Sequence, residues 1–378
     1  MQPILIVGSG LAGYTLLKEI RKRDAAIPVI LVTADDGVFY SKPNLSNALA
    51  ARRDAAALAG APAGKMAADL NATVLTHTTV TAIDPATRRI RTADAEYGYG
   101  KLVLALGADP FPHRLAGDAA NAVLTVNDLA DYARFRAAIA GKRRVAVLGG
   151  GLIGCEFAND LAATGLDVTV VHLGEWPLER LLPVEAGRQL AERLSALGVR
   201  WHFGRTAERV DAVDGSLHVT LDDGAAIDAD VVLSAIGLAP RIRLAQLAGI
   251  PVGRGIQTDR FLQTGAADVY AMGDCAEVDG QVLPYVQPLM AQARALAATL
   301  TGVPTEVVYP AMPVMVKTPA YPVVVLPPKA GAAGGWKIDC TADGVHALHL
   351  GEDGRLQGFA LTGAETAKRN VLAKEIAA

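Results

Sequence analysis

Two short stretches of this chain have the residue types and spacing to hold a pyrophosphate. "ILIVGSGLAGY", Ile4 to Tyr14, sets Gly8, Gly10 and Gly13 in a G-x-G-x-x-G pattern. "VLGGGLIGCE", Val147 to Glu156, repeats the pattern with Gly149, Gly151 and Gly154. In such a loop the first glycine permits the tight turn and the second lets backbone approach the phosphates. The third lets helix and strand pack closely, with the phosphates on the helix N-terminus. Two such loops imply two dinucleotide-binding units, not one unit and a decoy. Asp35 or Asp36, after the first unit, could accept the hydroxyls of a ribose. An alternative role for either is a turn aspartate in "ADDG". In the second unit the acid expected about 20 residues beyond the glycines is replaced by His172, and the nearest carboxylate is Glu175.

The elements that must position these loops are legible in the hydrophobic pattern. An apolar run enters Gly8, helical spacing follows in "LAGYTLLKEIRKRD", and a second apolar run, "IPVILVT", ends at Thr33. The order restarts at "RRVAVLGGG", continues through "LIGCEFANDLAATG" and closes in "DVTVVHL". Strand, glycine turn, helix and strand make the βαβ unit of a parallel sheet. The predicted fold class is α/β, with two Rossmann-like dinucleotide-binding domains in three layers and a small α+β C-terminal domain. The expected segments are 1–112, 113–237, 238–310 and 311–378. "PPKAGAAGG", Pro327 to Gly335, reads as a loop of the last of these.

Composition narrows the chemistry. The chain has 378 residues, enough for two or three domains, and 51% of them are hydrophobic. No apolar run approaches the ~18 residues of a membrane span, and the N-terminal residues lead straight into a strand, so a soluble, cytoplasmic chain is expected. A net charge of −3 argues against bulk attraction to nucleic acid or anionic membrane. The basic runs Arg21 to Arg23 and Lys142 to Arg144 are candidate docking patches or simply solvated faces. Cys155, Cys275 and Cys340 form no C-x-x-C pair, which disfavours a disulfide framework, a zinc site and a dithiol relay. His346 and His349 in "GVHALHLG" fall on opposite faces of a strand and read as surface residues, not metal ligands.

A third motif joins the first loop to a family. "TGAADVYAMGDCA", Thr264 to Ala276, is an apolar strand running into Gly273-Asp274 and then a predicted helix. With the N-terminal fingerprint it resembles the two-dinucleotide flavoprotein reductases of the pyridine nucleotide–disulfide oxidoreductase superfamily. "LVLALGADP" and "VVLSAIGLAPR" resemble their two interdomain crossovers. The resemblance implies that Asp274 binds the ribityl chain of FAD. It assigns Gly8, Ser9, Gly10, Leu11, Ala12, Gly13, Thr33, Ala34, Asp35 and Gly107 to the same cofactor, with backbone near Val80 and Val286. Glu156 would reach the place where nicotinamide and flavin meet. Gly149, Gly151 and Gly154, with His172 and Glu175, would hold the nicotinamide nucleotide. With no arginine cluster at 172–178 to grip a 2′-phosphate, NADH is expected over NADPH.

The acceptor side selects the subfamily. The stretch "FYSKPNLSNAL", Phe39 to Leu49, has no cysteine where disulfide reductases and related oxidases carry theirs, so no covalent thiol relay is available there. It is similar instead to the Y-x-R-P-P-L-S-K segment of reductases that serve small iron–sulfur proteins. Lys42-Pro43 and Leu45-Ser46 match, and Asn47 replaces the terminal lysine. Lys42, and Lys317 in "MPVMVKTPAYPVVV", are candidates to supply positive charge at the flavin edge. Together with "GLIGCEFANDL" and "YAMGDCAEVDG", these segments look most like rubredoxin–NAD(+) reductases. That implies FAD, NADH and a separate rubredoxin partner. Hydride would pass to the flavin and electrons would pass singly to rubredoxin iron, with no general acid–base residue required. The alternatives are a reductase for another acceptor, such as a [2Fe–2S] ferredoxin, and an NADH-sensing flavoprotein. Alkane hydroxylation and oxygen or nitric-oxide detoxification both remain open as the pathway served.

Overall fold

Continuous apolar runs that are buried on both faces favour parallel strands, because βαβ crossovers lay helices over each face. The computed structural model, which describes residues 2–329 and 331–377, follows that rule in both halves. Its residues divide into two compact units. The first comprises the stretch ending at Lys42, Ala59–Asp109 and Leu238–Tyr309. The second comprises Pro43–Leu58, Pro110–Gly237 and the stretch from Pro310 onward.

In the first unit, strand Ile4–Val7 is wholly buried and lies between Val29–Val32 and Lys101–Leu104, parallel to both. Thr73–Leu75 and Val269–Ala271 extend the sheet to five strands, again in parallel. Helix Leu11–Arg23 leaves the first glycine loop and packs on helix Val286–Leu300. The predicted helix directly after Gly273-Asp274 is not there. A single 3-10 turn, Gly273–Cys275, leads into another strand, Ala276–Val278, and the helix begins only at Val286.

The second unit repeats the plan. Strand Arg144–Leu148 runs parallel to Asp167–His172 and Val231–Ser234, with Arg200–Phe203 beyond Asp167–His172 on the outer edge. Helix Leu152–Ala162 follows the second glycine loop. A five-stranded antiparallel sheet closes the chain, in the order Val314–Val316, Val323–Leu326, Leu356–Thr362, Val345–Leu350, Gly335–Cys340. The stretch 327–334 is the expected loop, apart from residue 330, which lies outside the described residues, and Gly335 already belongs to a strand. This sheet does not have a separate core on its inner side. Val316, Tyr321, Val323, Val325, Val345, Ala347 and Ala360 share one buried cluster with Val145, Leu161, Leu190 and Leu194 of the nucleotide-binding layer. The Tyr321 hydroxyl reaches Gln189 of helix Val184–Ala196 across that seam and bonds Thr362 on its own side at 2.8 Å.

Two expectations change here. His349 is not a surface residue: it is 6% exposed and meets Trp336 edge-on. Also, Pro43–Leu58 clusters with the second unit, not with the flanking chain of the first expected segment. Buried Asp160 is the reason, since its carboxylate accepts the Leu49 and Ala50 amides at 2.8 and 2.9 Å. The basic runs are largely consumed locally. Arg21 donates to the carbonyls of Leu70 and Asn71, Arg143 pairs with Asp167, and Arg144 pairs with Asp230.

Leu161 is fully buried in the shared core, so Leu161→Ala should cost about 2–5 kcal/mol and lower the melting temperature clearly. Asp230 accepts from the Arg144 guanidinium and from the amides of Arg143 and Arg144. Those bonds hold its carboxyl well below the usual aspartate range. A depressed acid contributes stability above its unfolded pKa of ~3.9 and loses it as pH falls toward the folded value. Melting curves against pH should therefore show wild type above Asp230→Asn at neutrality, with the gap narrowing on acidification.

Candidate functional site

The first loop is built so that side chains cannot enter it. Gly8 has φ +116°, and a Cβ there would sit 2.2 Å from the Ala105 carbonyl oxygen. A Cβ on Gly13 would fall 1.9 Å from the Gly8 oxygen, whereas Gly10 faces open space. Gly10 is also the N-cap of helix Leu11–Arg23 and offers no side-chain cap. The first-turn amides of such a helix have no intrahelical acceptor and suit an anion. Gly273, φ +75°, packs against this loop, since a Cβ there would come 2.9 Å from the Ala12 Cβ. Its amide is fixed by the Gln292 side-chain oxygen at 2.7 Å, and Gln292 in turn donates to the Tyr309 hydroxyl at 2.8 Å.

Asp274 thus stands beside the loop. Burial pushes its carboxyl above the usual range, and the Lys42 charge opposes that shift. Its carboxylate accepts no hydrogen bond among the described residues. A desolvated carboxylate with free lone pairs is chemically suited to the hydroxyls of a sugar alcohol. Asp35 is organised differently. One of its oxygens accepts from Ser9 (2.9 Å), Thr33 (2.6 Å) and the Gly37 amide (2.9 Å). It therefore ties the glycine loop to the strand end and also makes the turn, with the second oxygen left over. Asp36 only accepts the Val38 amide. The amides of His77 and Thr78 bond to the Asp35 and Thr33 carbonyls at 2.8 Å, which brings the segment carrying Val80 alongside. Ala34 is exposed there. Gly107, φ +73°, has its carbonyl held by the Arg241 amide, and Val286 opens its helix 41% exposed.

The second loop has the same construction. A Cβ on Gly149 would lie 2.5 Å from the Ala235 oxygen, and one on Gly154 would lie 1.8 Å from the Gly149 oxygen. Gly151 is open and N-caps helix Leu152–Ala162. His172 reaches this loop as a hydrogen-bond acceptor, its Nδ1 taking the Gly150 amide at 3.1 Å. Glu175 is exposed beside Gly204.

Further along the same helix, Glu156 is completely buried. Its carboxylate accepts from the Lys317 ammonium (2.5 Å), the Lys317 amide (2.9 Å) and the Ser46 hydroxyl. The Lys317 ammonium also donates to Ser46 at 3.2 Å. Neighbouring Asn159 accepts the Ala320 amide at 3.1 Å, while Asp160 holds Leu49 and Ala50. Glu156 and Lys317 were both singled out from sequence, but their pairing was not. Asn159, Asp160, Gln292 and Tyr309 were missed. The available signal was three polar residues at i, i+3 and i+4, Glu156, Asn159 and Asp160, on a helix whose other residues are apolar or glycine.

Two of the three thiols, Cys155 and Cys275, are buried, and Cys340 is exposed. Burial raises Cys155 far above a reactive range and pushes Cys275 up to about 11. Among the described residues no group of His, Cys, Asp and Glu could hold a metal ion, and no helix is long and apolar enough to cross a membrane. Both glycine cradles, with an unengaged carboxylate beside the first, fit dinucleotides.

Comparison with known proteins agrees with this geometry. Residues 2–297 match the pyridine nucleotide-disulphide oxidoreductase model, and residues 306–376 match a rubredoxin binding C-terminal domain. A rubredoxin-NAD(+) reductase of Alcanivorax borkumensis is 50% identical over 379 residues, covering 100% of this chain and 99% of that protein. One from Acinetobacter baylyi is 45% identical, covering 98% and 96%. The ferredoxin reductase for the CYP199A2 system from Rhodopseudomonas palustris superposes with a TM-score of 0.90 at 26% identity, covering 100% of this chain and 96% of that one. The chain belongs to the pyridine nucleotide-disulphide oxidoreductase family.

Proposed function

We propose that this chain is an FAD-dependent NADH:rubredoxin reductase. The observation that carries the reading is the combination of two dinucleotide cradles with a C-terminal region matching a rubredoxin-binding domain. Full-length similarity to rubredoxin-NAD(+) reductases supports it. FAD, when bound, supplies the conversion of a two-electron hydride donor into single-electron steps. The chain's own residues bind and orient. The first loop, Gly8 to Gly13, takes the FAD pyrophosphate, Asp274 takes the ribityl hydroxyls, and the free oxygen of Asp35 takes the adenosine ribose. Residues near Thr33, Ala34, Val80, Gly107 and Val286 line the same cofactor. Gly149, Gly151 and Gly154 take the pyrophosphate of NADH. In the first unit Lys42 opposes the burial of Asp274, and in the second unit Lys317 is the cation held by Glu156. Because the stretch 39–49 holds no cysteine for a covalent relay, electrons leave for an external carrier. We infer a cytoplasmic location, where NADH is available as reductant.

The purified holoprotein should oxidise NADH rapidly when rubredoxin is added and only slowly with a [2Fe–2S] ferredoxin. Flavin reduction by NADH with no carrier reduced would point to the nucleotide-sensing alternative instead. Lys317→Met strands the fully buried Glu156 without its cation, a change expected to cost about 3–5 kcal/mol. Thermal melting should fall accordingly, and Lys317→Met combined with Glu156→Leu should recover most of the loss.

A further inference from the structure

In a dinucleotide fold the end of the second strand is where a side chain reads the adenosine ribose. His172 occupies that place, and its ring is already committed. With Nδ1 accepting from Gly150, the proton resides on Nε2, which is buried and has no hydrogen-bond partner. Burial lowers the imidazole below its ordinary range against the opposing charge of nearby Glu179, so the neutral form is kept. A neutral ring with one nitrogen spent cannot accept both hydroxyls of a diol, so a carboxylate must come from elsewhere.

The turn after His172 delivers one. Leu178 is 2% exposed yet has φ +59°, a left-handed conformation that a branched, non-glycine residue adopts only under constraint. That conformation accompanies a bond from its amide to the Gly150 carbonyl at 2.9 Å. The chain is thereby folded back onto the glycine loop just before Glu179. Two observations distinguish Glu179 from Glu175. A Cβ on Gly174 would meet the Glu179 Oε2 at 1.8 Å and the His172 Nε2 at 2.8 Å, so this carboxylate covers Gly174 beside the imidazole. Glu175 instead leans on Gly204, 3.2 Å from where its Cβ would be. Gly204 follows the outer strand Arg200–Phe203, on the side of Asp167–His172 away from the loop strand Arg144–Leu148. Glu179 is exposed and makes no ion pair or hydrogen bond among the described residues, so its oxygens are available to a ligand.

We propose that Glu179 reads the adenosine ribose diol of the nicotinamide nucleotide, with His172 and Leu178 as positioning residues. The proposal rests on the second loop being the nicotinamide site. A carboxylate accepts both hydroxyls of a 2′,3′-diol and repels a 2′-phosphate, so the same residue sets NADH over NADPH.

The test is calorimetric titration of the oxidised holoprotein with NAD+ and NADP+, in wild type, Glu179→Gln and Glu175→Gln. Glu179→Gln should weaken NAD+ binding roughly tenfold or more and leave NADP+ no weaker than before. Unchanged flavin content and melting temperature would show that the fold is intact, as suits an exposed side chain. Unaltered NAD+ affinity in Glu179→Gln, a larger loss in Glu175→Gln, or tighter wild-type binding of NADP+ than of NAD+ would each overturn the proposal. Anaerobic flavin reduction by NADH separates the two levels. If wild type is reduced but Glu179→Gln binds NAD+ normally, only the assignment of Glu179 fails. If NADH does not reduce wild type at all, the functional reading fails with it.

Discussion

A carboxylate with no exposure to water governs the second unit. Glu156 lies on the helix that begins at a dinucleotide loop, and its oxygens hold Ser46 and Lys317, residues far away in sequence. Desolvating such a pair is expensive and repays little in net stability. Its value is specificity, because only one arrangement of the three stretches satisfies both charges and the Lys317 amide. Asn159 and Asp160 add backbone anchors on the same helix, fixing 49–50 and Ala320. One helix therefore positions a loop for phosphate at its start and a polar cluster one turn later.

The two glycine loops show the same physics twice. In each, a carbonyl oxygen occupies the space that the third glycine's Cβ would need, at 1.9 and 1.8 Å. In each, the middle glycine faces open space. What differs is the acid that follows. Asp35 is woven into its own loop through Ser9 and Thr33, whereas the second loop is braced by an imidazole. The repeated part answers to phosphate and backbone. The divergent part lies at the end of the strand that follows each loop.

The strands and helices around both loops were legible because apolar runs and glycine spacing carry them directly. Ile4–Val7 and Arg144–Leu148 are buried runs that end in glycine. Less legible was anything fixed by side chains bonding to distant backbone. The attachment of Pro43–Leu58 to the second unit depends on Asp160 accepting two amides, which leaves no periodic trace. The strand after Asp274 was read as helix, and Cys275 to Val278 is too short for periodicity to discriminate. His349 was read as a surface residue once its strand spacing from His346 spoke against a metal pair, but the alternation of its strand turns it inward against Trp336. His172 was recognised as departing from the expected acid, yet its bond to Gly150 could only be seen in three dimensions.

The core that one face of the C-terminal sheet shares with the nucleotide-binding layer has a consequence for how such chains can be rearranged. A module with its own core can be exchanged between proteins by recombination at a linker. Here a cut before Pro310 would strip Val316, Tyr321, Val323 and Val345 from the layer they cover and leave Leu161 and Leu190 facing solvent. The sheet matching a rubredoxin-binding domain is thus not a detachable adaptor. Its opposite face is packed as well, with Val324, Phe359 and Leu361 buried against Leu372 of helix Arg369–Ala377, so substitutions that change the electron carrier are confined to positions outside both cores.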